Sequence, residues 1–457
     1  MDPQGRARVV FTMTSRVGRR AVTVVGVTVG ATMAWIFGRP LLDRPLEAPE
    51  AAARIESATA AGDSVVLGRL ARRQCQDRLG EDRQKCYEDY FLALSGNGGV
   101  RLSLASLSVL ADVDRNVQAD GHVYTHMIGI RAWQPGLDVG KVFASCTGLF
   151  QSGCYHGVIQ SYLTGDGGLD STKVSWLCDT VARDAPGYLA RFQCAHGLGH
   201  GLEMALNWDL PRALDGCNWL TSTWDREACY GGVFMENAAA SSPRGHHAPA
   251  DALALTTELA DAEDHSGHDM PSGRPVFQMR DSTDALYPCS IMADQYLQSC
   301  YQLQGGILLD RTGYDWEAAA TECDQAPDYV RHLCYLSLGT NASGFTVQDT
   351  KVAIRYCSLG DPGYQPWCFL GVAKNYIDVT GRPEDGIGFC KEVPAGRNQR
   401  QCWVAIGEEL MVLHTDDRVV REAICRSVPE NGRDGCRYGA GLLAAAPEGF
   451  PIQPGTP

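Results

Sequence analysis

Residues 323–337 read CDQAPDYVRHLCYLS, and residues 357–371 read CSLGDPGYQPWCFLG. The two stretches lie 34 residues apart and match in role: a cysteine, a turn rich in breakers, a second cysteine, an aromatic directly after it, and a small residue two places further. The second cysteine recurs as Cys300, Cys334, Cys368, Cys402 and Cys436, with 34 residues in every gap. Nearer the N-terminus the same anchor is Cys86, Cys154, Cys194 and Cys229, and Asp120 stands midway between Cys86 and Cys154. A fixed period of this size predicts an all-α, right-handed solenoid of about ten helical hairpins, each burying its apolar face against its neighbours.

Each unit reads as two helices. The first is amphipathic and closes at a cysteine, as in Thr350–Cys357 with Val352, Ile354 and Tyr356. Breakers such as Asp361-Pro362-Gly363 or Gln325-Ala326-Pro327 then turn the chain. The second helix carries the anchor. Directly after the anchors come Tyr87, Tyr155, Tyr230, Tyr301, Tyr335, Phe369 and Trp403, which we read as a core ladder. Three places after them come Gly157, Gly197, Gly232, Ser337, Gly371, Ala405 and Gly439, small enough for neighbouring helices to approach closely. Six extra residues around Ala185-Pro186-Gly187 interrupt the ruler, as does a gap of 71 between Cys229 and Cys300. The middle of that gap, residues 241–283, is polar and proline-dotted and predicts a loop.

Eighteen cysteines form nine close pairs along the chain. They are Cys75 with Cys86, Cys146 with Cys154, Cys178 with Cys194, Cys217 with Cys229, Cys289 with Cys300, Cys323 with Cys334, Cys357 with Cys368, Cys390 with Cys402, and Cys425 with Cys436. A staple across an antiparallel hairpin suits these spacings, and each short closure contributes about 3 kcal/mol. Structural zinc is the competing reading, but its cysteine pairs lie closer together in sequence than these. Disulfides imply an oxidising compartment.

In period and architecture residues 64–445 resemble the tetratricopeptide and Sel1-like repeat families, especially secreted cysteine-rich versions with one disulfide per hairpin. The resemblance implies an α/α fold and binding of a peptide or envelope protein in a concave groove. It carries over no catalytic residue.

The N-terminus is consistent with that compartment. A basic tail, residues 1–20, carries Arg6, Arg8, Arg16, Arg19 and Arg20, and an uncharged apolar run follows from Ala21 to Phe37. The positive-inside bias predicts a single-pass signal anchor over 21–38, a cytoplasmic N-terminus and an extracytoplasmic body. A cleaved signal peptide is the alternative. Residues 39–63 then act as a linker, 64–240 and 284–445 as two blocks of repeats, and 446–457 as a tail. A net charge of −14 excludes nucleic acid as a partner.

Two places past the anchor slots stand His122, His156 and His196, and six places past stand His126, Gln160 and His200. Five of eleven histidines thus fall in two columns of three consecutive repeats, whereas later repeats carry Leu336, Leu370 and Val404 in the first column. Histidines four apart on a helix share a face, so each pair is able to chelate one ion. Glu203 and Glu236 are the nearby carboxylates, candidates to complete the shell or act as a base toward bound water. Gly199 and Gly201 are unexplained by the repeat and call for a ligand, an ion, a neighbouring backbone or a local turn. Packed histidines bonded to carbonyls are the plainer alternative. In a straight stack, helices about 8–10 Å apart would hold the first and third pairs nearly 20 Å apart. Imidazoles suit copper and zinc alike. The His246-His247 pair and the run Asp264-His265-Ser266-Gly267-His268-Asp269-Met270 favour copper. Such a chain is a metalloenzyme or a metal-handling protein, or else a helical-repeat scaffold. Lys374, Glu408 and Glu409 extend the polar face into later repeats, where a solvated groove is expected.

Overall fold

The structure is a computed structural model that describes residues 48–167, 169–241, 277, 281–345 and 349–455. The basic tail, the expected anchor and the histidines at 246, 247, 265 and 268 lie outside the described residues. The chain divides into two units, Met1–Ala53 and Arg54–Pro457, and the repeats belong to the second. Every regular element among the described residues is helical. Among them no helix is long and apolar enough to cross a membrane.

Composition and spacing account for the units. Trp316–Cys323 ends at its cysteine, the chain turns at Pro327, and Asp328–Phe345 carries Cys334. All nine expected disulfides form, with Cα–Cα separations between 5.3 and 5.8 Å, which is where a bridge closes without moving the backbone. The architecture is compatible with a helical repeat. A start signal that the cysteine ruler does not convey is aspartate. Asp63, Asp170, Asp209, Asp315, Asp349 and Asp417 each accept a backbone N–H at the start of a first helix. Each such cap is worth about 1 kcal/mol.

The anchor-bearing helices pack side by side in chain order. Gly121–Ala132 meets Gly153–Tyr162, then come Tyr188–Ala205, Thr223–Ser241 and, after the long gap, Asp294–Tyr301, Asp328–Phe345, Gln365–Thr380, Arg397–Leu413 and Arg433–Gly439. Glycine governs these contacts. A β-carbon at Gly157 would collide with the His126 carbonyl, at Gly232 with the His196 carbonyl, at Gly371 with that of Leu336, and at Gly439 with that of Val404. The aromatic ladder fills the core behind: Tyr87, Tyr301, Tyr335, Phe369 and Trp403 are all fully buried.

The row also bends back on itself. Phe150 and Gln151 donate backbone N–H groups to the carbonyls of Val379 and Asp378, at 3.3 and 3.1 Å. Arg382 pairs with Asp112 at 3.5 Å, and Tyr188–Ala205 touches Arg397–Leu413. Phe150, Gln151 and Ser152 hold φ of 49°, 55° and 62°. For residues with a β-carbon this left-handed region costs about 1–2 kcal/mol each. The three sit where the early repeats touch the late ones, and the buried Phe150 ring fills the space a side chain at Gly121 would need.

The glycine contacts predict opposite outcomes for two substitutions. Gly371→Ala forces a β-carbon into the Leu336 carbonyl and should cost about 1–3 kcal/mol. Gly388→Ala, on an exposed helical position with open space around it, should gain up to about 1 kcal/mol. Urea unfolding midpoints of the two variants check this, and a neutral Gly371→Ala would contradict the close-contact account.

Candidate metal centre

The five histidines come from three adjacent anchor helices. His122 and His126 lie on Gly121–Ala132, His156 on Gly153–Tyr162, and His196 and His200 on Tyr188–Ala205. Their rings form one cluster. Centroids are 5.5 Å apart for His122 and His156, 5.7 Å for His126 and His200, 4.8 Å for His156 and His196, and 5.0 Å for His156 and His200. The straight-stack separation of nearly 20 Å therefore does not apply. Glycine is the reason: Gly157 abuts the His126 carbonyl, and a β-carbon at Gly197 would stand 3.1 Å from His156 Cα. Gly199 and Gly201 have the same explanation. They are needed for the Cys229 carbonyl and for Leu163, that is, for neighbouring helices and not for a ligand.

For four of the five rings a hydrogen bond fixes which nitrogen carries the proton. His122 Nδ1–H donates to the Phe150 carbonyl at 3.0 Å, and His196 Nδ1–H to the Ala228 carbonyl at 3.2 Å. His200 Nδ1–H donates to Glu236 Oε2 at 2.9 Å, and His156 Nε2–H to Gln193 Oε1 at 2.7 Å. The other nitrogen of each ring is then a lone-pair donor, and His156 Nδ1 has no hydrogen-bond partner. Among the described residues one group has metal-ligand spacing: His156, His196 and His200, all buried, with ligand atoms within 4.8 Å of one another. A tetrahedral ion with bonds of 2.0–2.1 Å needs about 3.3 Å between nitrogens, so the rings would turn inward by roughly an ångström. His122 and His126 flank this group without joining it.

Burial favours the neutral form of His122, His156 and His196. It depresses His122 to about 4, against the opposing pull of the Phe150 carbonyl, with His200 and His196 lowering it further. Burial and then His200 bring His196 down to about 3. Burial, then His196, His200 and His122, hold His156 well below the ordinary range. Neutral imidazole is the form that ligates metal.

The two candidate carboxylates divide in role. Glu236 orients His200 from behind, the arrangement that fixes ring tautomers around metal ions. Glu203 is fully buried, and neither of its oxygens has a hydrogen-bond partner. Burial, then Glu236 and Asp209, raise it well above the usual carboxylate range. Spacing did not reveal Gln193, whose position before its anchor looks unremarkable. Met204 was legible, being four residues past His200, and its sulfur accepts from Gln160 Nε2.

Lys374, Glu408 and Glu409 form an ion-paired cluster that leaves part of Lys374 and Glu408 exposed, at 29% and 39% of their side chains. Lys374 Nζ lies 3.2 Å from both carboxylates, and Glu409 is buried. Burial opposes the lysine's charge, but Glu409, Glu408 and Asp378 outweigh it and hold the ammonium above its usual range. Asp378 is raised well above a normal aspartate, first by burial and then by Glu409, to which it is hydrogen-bonded.

Comparison of the chain with protein-family models, curated proteins and solved structures found no match.

The metal-free protein should have two opposed pH dependences. His122 and His196 have folded pKa values depressed to about 4 and about 3, below the unfolded value of 6.5. Their contribution is complete above pH 6.5 and is lost as pH falls through the folded values. Glu203, raised in the fold, acts in the opposite sense: its contribution is present at low pH and is lost as pH rises. His196→Phe isolates the first effect. Between pH 7 and 5 the wild-type unfolding midpoint should fall relative to the variant's, and parallel curves would contradict a buried neutral imidazole at 196.

Proposed function

We propose that this chain is a membrane-tethered extracytoplasmic solenoid, right-handed and built from about ten hairpins in the tetratricopeptide and Sel1-like manner, that holds one transition-metal ion on His156, His196 and His200. The observation that carries this reading is chemical. Three buried imidazoles, each pinned by an acceptor outside the group, have ligand atoms within 4.8 Å of one another. Packing alone requires no such convergence of lone pairs in a site shielded from water, where uncompensated polar atoms are costly. Copper is preferred over zinc, because the thioether of Met204 lies one turn beyond His200 on the same helix. Nine disulfides support an oxidising compartment, and the arginines before the apolar run at 21–38 support the tether. The ion is either handled or used in chemistry. In the second case Glu203, buried on the same helix as His196 and His200, is the candidate acid.

Elemental analysis of the purified full chain tests the proposal. One copper per chain is expected, lost in a triple variant with alanine at 156, 196 and 200 whose circular dichroism stays helical. A chain that holds no ion and gains none from added copper or zinc would end the reading, and zinc in place of copper would end the preference between them. The scaffold alternative predicts that peptide or envelope-protein capture is indifferent to a chelator.

A further inference from the structure

Tyr188, Phe192, His196, His200 and Met204 recur every fourth residue along Tyr188–Ala205 and so form one stripe down that helix. The stripe runs from solvent to the histidine cluster: Tyr188 is 49% exposed, Phe192 is half-buried, and His196 and His200 are buried at 7% and 1%. Trp224, in the first turn of Thr223–Ser241, packs beside it. The Tyr188 and Trp224 rings are 4.5 Å apart between centroids, and Trp224 and Phe192 are 5.6 Å apart. Phe192 then stacks on His196 at 5.7 Å with 19° between the planes. His196 in turn lies 4.8 Å from His156 and 5.1 Å from His200. An unbroken file of π contacts therefore joins a surface phenol–indole pair to one of the three imidazoles of the metal centre.

We propose that this file carries single electrons between a cationic one-electron donor, docked over Tyr188 and Trp224, and a copper ion on His156, His196 and His200. The inference rests on the metal reading above and requires its copper form. The balance is simple: the donor gives up one electron and is oxidised by one unit, and Cu(II) becomes Cu(I), with no bond made or broken and no proton moved. Burial of the imidazoles bars a donor from touching the ion, so the electron must cross protein. All eighteen cysteines are in disulfides, so no thiol relays it. Conjugated rings in contact couple donor and acceptor better than saturated side chains do. Tyr188, Trp224 and Phe192 therefore form a tunnelling bridge to the ligand, and none of them is itself oxidised. A cationic donor follows from the net charge of −14.

A plain apolar cap would be served equally well by leucine, and this separates the two accounts. Phe192→Leu and Trp224→Leu are made in the full chain, loaded with copper, and mixed with hexaammineruthenium(II), a cationic outer-sphere reductant. Copper stoichiometry is measured first and should match the wild type in both. The rate of Cu(II) loss, followed by electron paramagnetic resonance, should fall by an order of magnitude or more in each variant. Wild-type rates in both fully loaded variants would overturn the conduit and leave the metal centre standing. A chain that takes up zinc but not copper would overturn it in the same way, whereas a chain that takes up neither ion would overturn both.

Discussion

Close contact between anchor helices is the constraint on which the site depends. At Gly157, Gly232, Gly371 and Gly439 the preceding helix presents a carbonyl where a side chain would begin. Side chains on adjacent helices then meet ring to ring instead of across a layer of packing. Glycine costs about 1 kcal/mol relative to alanine in a helix interior. The molecule tolerates that cost repeatedly because packed neighbours, aspartate caps and cystine staples offset it.

The same approach produces two different electrostatic outcomes. In the early repeats the inward positions carry imidazoles, whose neutral form burial favours at His156 and His196 and which outside acceptors hold in fixed tautomers. In the later repeats the equivalent positions carry Lys374 and Glu408, which pair with each other, and Glu409 pairs with the same lysine. A lysine surrounded by carboxylates is satisfied by its neighbours. The imidazoles instead turn one nitrogen of each bonded ring to an acceptor outside the cluster.

The cysteine ruler made the all-helical class and every disulfide pair legible, because each staple spans a local hairpin and both partners recur in register. The aromatic ladder and the small-residue column were legible for the same reason. What escaped was non-local. The 5.7 Å between His126 and His200 depends on glycine contacts across two interfaces and on the curvature they permit. Gln193 and Ala228 share the place before their anchors, but that column holds a glycine, Gly153, in the preceding repeat and so does not single out acceptors. Nothing in a 34-residue repeat reveals that residues 150 and 151 bond to the carbonyls of residues 379 and 378. Gly199 and Gly201 were legible as anomalies but not as to cause, since a side chain such as Leu163 and a ligand exclude a β-carbon equally well.

Open arrays of helical hairpins usually lengthen by gene duplication, because each new member contacts only the one before it. The left-handed triplet at 150–152, bonded to the end of Gln365–Thr380, removes that freedom here. Inserting one hairpin anywhere between them would carry Val379 out of reach of Phe150 and leave three costly backbone conformations uncompensated. Copy number in this lineage should therefore be frozen between those two points, with growth confined to the outer loops and the chain ends.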